Sequence, residues 1–119
     1  MVQNVSDRVF LVNAKSVPIE DLTKQGAKDV KVQYLIDEQH GSNRFSLRLY
    51  TVPKGGHTPL DQHRYEHQVY VLSGHGLLRE TEQNRSVPRK LRKGTRYSCL
   101  RMRFINFSTN MTNLSYFYV

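Results

Sequence analysis

Residues 55–74, GGHTPLDQHRYEHQVYVLSG, decide how the rest of the chain is read. A glycine pair is followed by Asp61, His63 and His67, then by the β-branched and aromatic run Val69-Tyr70-Val71-Leu72, which Gly74 closes. Side chains alternate along a strand, so Asp61 and His63 share a face, and His67 has the same parity and returns to that face after a turn. Two imidazoles and a carboxylate form a ligand set that leaves coordination positions open for oxygen or substrate. These donors suit manganese or iron(II), and zinc accepts them equally, so the ligand types leave the divalent metal's identity open. The alternative is a metal-free pocket in which the three side chains hydrogen-bond one another.

Outward from this stretch the pattern stays period two. Val30, Val32, Tyr34 and Ile36 alternate with Lys31, Gln33 and Leu35, and Phe45, Leu47 and Leu49 alternate with Ser46, Arg48 and Tyr50. His40-Gly41-Ser42-Asn43 between them is turn chemistry, with His40 read as a loop residue, and Pro53-Lys54-Gly55-Gly56 ends the second strand. Downstream, residues 77–82 and 87–91 read as short strands, 95–106 as one long segment after Gly94, and 114–119 (LSYFYV) as a closing aromatic strand. Upstream, residues 8–12 (RVFLV) read as a short strand, and residues 19–25, between Pro18 and Gly26, as a single helical turn. Many short strands without a long helical pattern predict an all-β sandwich or barrel.

The segment from Gly55 resembles the first motif of the cupin superfamily: glycine, five residues, His-x-His, three or four residues, Glu or His, six residues, glycine. Asp61 stands at the first histidine of that motif, His63 at the second, His67 at the third ligand and Gly74 at the closing glycine. The resemblance runs from about residue 32 to the C-terminus and is nearest to small, single-domain cupins of the manganese or iron type. It implies an all-β double-stranded β-helix, the jelly-roll barrel. It also implies one cupin domain over residues 1–119, with residues 1–28 as an N-terminal strand and arm and 30–119 as the barrel. In the second cupin motif a histidine four residues before an asparagine supplies a fourth ligand. Here Asn106 is present and the histidine position falls on Met102, a poor donor for a hard cation. Met102, Phe104 and Asn106 share one strand parity, so a barrel interior facing Met102 would be largely apolar.

His57, His75, Tyr97, Met102 and Phe104 are the candidate residues of a substrate pocket, His57 and His75 as groups that titrate near neutral pH and Tyr97 as a phenol able to orient a ligand. The string His63-Arg64-Tyr65-Glu66-His67 also matches the H-x-x-E-H signature of inverted zinc peptidases. That chemistry needs a helix, whereas Gly55, Gly56 and Pro59 precede these residues and a β-type run follows.

At 119 residues the chain fits one domain with one core. No apolar run approaches the roughly 20 residues that span a bilayer, and no signal segment opens the chain, so a cytoplasmic location is expected. Cys99 is the single cysteine and reads as a small core residue. The net charge of +8 is uneven: bases and acids balance through residue 82, and the remainder carries eight bases and no acid. Without a recognition helix or an RNA-binding aromatic motif, this basic third reads as a charged sheet surface or an anion-attracting face rather than a nucleic-acid site.

Two functions follow. The first is a small metal-binding cupin, an oxygen-dependent, dioxygenase-like oxidoreductase acting on a small molecule. The second is a non-catalytic cupin that binds a small molecule or anion and regulates without a functional metal. A homodimer is expected from the strand at residues 8–12, which lies outside the motif region, and from the habit of small cupins to pair through sheet edges.

Overall fold

The computed structural model describes residues 4–5, 9–60, 67–82, 85–99, 104–108 and 113–119. Eleven strands run through them: β1 (Asn4–Val5), β2 (Phe10–Leu11), β3 (Glu20–Asp21), β4 (Lys31–Ile36), β5 (Leu47–Val52), β6 (His67–Ser73), β7 (His75–Glu82), β8 (Arg85–Arg92), β9 (Arg96–Cys99), β10 (Phe104–Ser108) and β11 (Leu114–Tyr118). The only helical pieces among the described residues are two 3-10 turns, Ala14–Ser16 and Glu38–His40. The fold is all-β, as the period-two pattern predicts. No helix among the described residues is long and apolar enough to cross a membrane.

Six strands form one antiparallel sheet in the order β3-β4-β5-β11-β6-β9, and three form a second in the order β10-β7-β8. The core lies between them. Val32, Tyr50, Val52, Val69, Val71, Leu114 and Tyr116 face it from the larger sheet, and Leu78, Leu91 and Phe107 meet them from the smaller. The Phe107 and Tyr116 rings stack across the gap at 4.6 Å, and Tyr116 stacks on Tyr50 at 5.5 Å. Burial of these apolar faces is the dominant force holding the sheets together.

Three sequence expectations change. The helical turn over residues 19–25 is instead β3, whose Glu20 and Asp21 pair with Val32 and Lys31. The Leu22 amide donates to the Val30 carbonyl at 2.9 Å, because the edge of β4 offers backbone partners that a lone helical turn would leave unused. The segment 95–106 splits into β9 and β10, which belong to different sheets. In β5 the interior takes the opposite set from the apolar one: Tyr50 and Val52 are buried, whereas Phe45 just ahead of the strand is 70% exposed. The strand at residues 8–12 is present as β2, paired within the chain to β1. His40 lies in the connection between β4 and β5, where its Nδ1 accepts from the Asp37 amide at 3.2 Å and its ring stacks on Phe10 at 4.4 Å.

The bases of the last third concentrate on sheet edges. β8 carries Arg85, Arg89, Lys90 and Arg92 and bounds the smaller sheet, and β9 carries Arg96 and bounds the larger. Positive charge on an edge discourages pairing with another chain, and Pro88 within β8 withholds an amide there.

Gly74 joins β6 to β7 at φ +86°, and a Cβ at this position would run into the Asn113 carbonyl oxygen. Gly74→Ala is therefore expected to lower stability by more than about 2 kcal/mol in urea unfolding. Gly41 has a similar φ of +89° with open space around it. Gly41→Ala should cost only the left-handed strain, about 1 kcal/mol, so equal losses at the two sites would refute the clash at Gly74.

Candidate metal centre and ligand cavity

The chain is fixed just ahead of the motif. The Thr58 amide donates to the Phe107 carbonyl at 2.8 Å, and the Thr58 hydroxyl oxygen accepts from the Phe107 amide at 2.7 Å. This ties residue 58 to β10 in the smaller sheet, and the stretch of sequence after it ends at His67, the start of β6 in the larger one. Asp61 and His63 belong to that stretch and lie outside the described residues.

His67 is on the interior face. It is 3% exposed and alternates in register with buried Val69 and Val71, whereas Gln68 and Tyr70 face solvent. Its ring lies 4.5 Å from the Tyr118 ring at 32°. Parity alone puts the imidazole inside, because Val69 and Val71 must be buried for β6 to contribute to the core.

Strand register assembles a row beside it. Tyr34 pairs with Arg48, Arg48 with Tyr118, and Tyr118 with Val69. One step deeper, Val32, Tyr50, Tyr116 and Val71 form a second row. Cross-strand neighbours of this kind touch directly. The Arg48 guanidinium lies 5.7 Å from the Tyr34 ring centroid, and the Tyr50 and Tyr118 rings meet edge to face at 5.2 Å.

Arg48 also donates a hydrogen bond to the Tyr50 hydroxyl. Burial disfavours its charge, but that bond and the nearby tyrosine oxygens outweigh burial and raise its pKa above the ordinary value. Burial is the largest influence on the Tyr50 phenol and pushes its pKa up, against the pull of Arg48. The fully buried Tyr116 phenol is pushed well above its ordinary value for the same reason. The Arg48 Nε is buried and has no hydrogen-bond partner among the described residues.

Arg48, His67 and Tyr118 border a cavity of about 550 Å³ whose walls also include Arg44, Phe45 and Val119. No Asp or Glu side chain is among its described lining residues. The cavity is thus cationic and aromatic, with an imidazole at one wall.

The other sequence candidates are dispersed. His57 is half-buried and forms an isolated bridge with Lys28, its amide and carbonyl both committed to that residue. His75 is exposed at the start of β7, beyond the far end of β6 from His67. Tyr97 occupies the register position opposite Val69. Met102 lies outside the described residues. The pairing of β10 with β7 is unbroken from Phe104 to Ser108, and buried Phe107 sets the interior face. Phe104 is the first residue of β10, paired there with Thr81 of β7.

Sequence reasoning missed Arg48, Tyr34, Tyr50 and Tyr118. A signal was present in seven tyrosines, with Tyr116 and Tyr118 two apart and Tyr50 two from Arg48. Tyrosine interleaved with arginine reads as a wet face unless the opposing strand is known.

No family model and no curated protein matches the sequence. Solved structures do. The RmlC-like cupin from Shewanella frigidimarina aligns over 99% of this chain and 91% of its own, with a TM-score of 0.74 and 18% identity. The chain has the cupin fold. Within that fold, the polyketide cyclase RemF from Streptomyces resistomycificus aligns over 91% of this chain and 75% of its own, at 28% identity and a TM-score of 0.82. HppE, solved with Fe(II), aligns over 98% of this chain and 62% of its own at 12% identity and a TM-score of 0.74.

His67 is buried on the interior face and borders the cavity. Among the described residues no three His, Cys, Asp or Glu side chains gather.

Proposed function

We propose that this cupin is a metal-dependent enzyme that closes rings in flat poly-β-carbonyl substrates. The observation that carries the reading is the interior position of His67 on a cavity walled by Tyr118 and Arg48. The likeness to a polyketide cyclase, at 28% identity over 91% of the chain, supports the substrate class.

His67 would hold a divalent cation together with Asp61 and His63, and the bound cation would supply Lewis acidity that polarises a carbonyl oxygen. Tyr118, packed on the His67 ring, fixes the orientation of that imidazole. Val69, Val71 and Tyr116 make a dry floor beneath it, which strengthens any charge interaction in the cavity. The Tyr118 ring offers a face against which a conjugated ligand can lie. Ring closure by aldol condensation releases water and consumes no oxygen, unlike the oxygen-dependent oxidation that the sequence also suggests. A homodimer is the assembly we propose.

The test offers a linear poly-β-keto acid to metal-reconstituted protein under air and under nitrogen, with products read by mass spectrometry. A product lighter by one water, formed equally in both atmospheres and absent after metal removal, is expected. Products that gain oxygen only under air would replace ring closure with oxygenation. Ligand binding without turnover in either atmosphere would replace both with a binding module.

A further inference from the structure

We propose that Arg48 is a binding residue for a planar oxyanion, a carboxylate or β-dicarbonyl enolate carried on a flat conjugated ligand, which it seats along the Tyr118 wall of the cavity beside His67. The inference rests on the cavity being the ligand site, and extends that reading by naming the group the ligand must carry.

An arginine in a β-barrel interior needs a reason. Its guanidinium carries five N–H donors, of which the described residues account for only part. Tyr50 accepts one hydrogen bond, Tyr34 presents a ring face at 5.7 Å, and the buried Nε donates to nothing among the described residues. No described Asp or Glu side chain pairs with Arg48, and its buried Nε keeps a donor that a ligand oxyanion can take up.

The geometry favours a flat anion over a compact one. A guanidinium binds a carboxylate through two parallel N–H···O bonds in one plane, and Nε with one terminal nitrogen forms such a fork. Register makes Tyr34 and Tyr118 the two cross-strand neighbours of Arg48, and Tyr118 extends the flat surface within the cavity. Tyr118 in turn touches His67, so an anion held at Arg48 brings the adjoining conjugated plane along the wall that leads to the imidazole. Exposed Arg44 at the rim adds long-range attraction without a fixed geometry.

The competing account makes Arg48 a structural brace whose only task is to hold the tyrosines. Calorimetric titration of metal-free protein with benzoate, benzamide and acetylacetone separates the two and does not depend on turnover, so failure of ring closure and failure of the anchor are distinguishable. Benzoate, or the enolate of acetylacetone at alkaline pH, should bind, and neutral benzamide should bind at least about tenfold more weakly. Arg48→Gln should erase that preference, Arg48→Lys should retain charge but lose about tenfold through loss of the fork, and Arg44→Gln should change affinity less than about twofold. Should the Arg48 variants fail to fold, the 15N resonance of Arg48 Nε in the parent protein decides instead. It should shift on addition of benzoate and stay in place with benzamide. Equal affinity for benzoate and benzamide, undiminished benzoate binding by a folded Arg48→Gln, or an Nε resonance unmoved by benzoate would overturn the proposal.

Discussion

His67→Ala is expected to weaken divalent-metal binding by more than about a hundredfold, exceeding the loss seen when only an outer partner of a ligand is removed. His67 is the candidate ligand whose position is described, and its ring is buried against Tyr118 on the interior face. His63→Ala should behave alike, whereas Asp61→His should restore a more ordinary cupin ligand set and keep binding. Tyr118→Ala leaves all three donors but frees the His67 ring, and should cost about tenfold. Competition titration against a chelating dye measures each affinity, with far-ultraviolet circular dichroism to show that the variants fold. Parent-like affinity in a folded His67→Ala would remove this residue from the centre.

The second large effect concerns stability. Tyr116 is 1% exposed and stacks on Phe107 of the opposing sheet and on Tyr50 of its own. Tyr116→Ala leaves a void where the two layers meet and should lower unfolding free energy by about 3–5 kcal/mol, a large part of the total for a domain of this size. Urea unfolding reads the loss directly. Tyr70→Ala on the outer face of β6, where the ring is 45% exposed, should cost less than about 1 kcal/mol. Similar losses at the two tyrosines would contradict the placement of the core.

The all-β architecture and the interior position of His67 are legible in the sequence for one reason. Val69 and Val71 alternate with Gln68 and Tyr70, so the face that buries the valines also buries the imidazole. The division of residues 95–106 into β9 and β10 is not legible, because no glycine or proline interrupts that run and sheet membership depends on distant partners. β3 is hidden for a related reason: two residues carry no period, and only the free edge of β4 makes them a strand.

Arg48 shows the limit most clearly. Phe45, Leu47 and Leu49 look like the buried set of their strand, yet the register with β11 turns Arg48 and Tyr50 inward against Tyr118 and Tyr116. An interior that binds a charged ligand breaks the apolar rule where its function lies. The histidines at 57 and 75 cannot be placed from sequence by the same reasoning, since a side chain in a turn carries no period by which to place it.

The account rests on a metal held at the wall of the barrel that carries His67. Crystals of untagged protein, soaked in or grown with zinc, manganese or iron(II), allow the cation to be located by anomalous scattering. The account predicts one dominant peak about 2.0–2.2 Å from a His67 ring nitrogen, with Asp61 and His63 completing the protein ligands. A fully occupied cation bound elsewhere, or no peak near His67 after reconstitution, would contradict it.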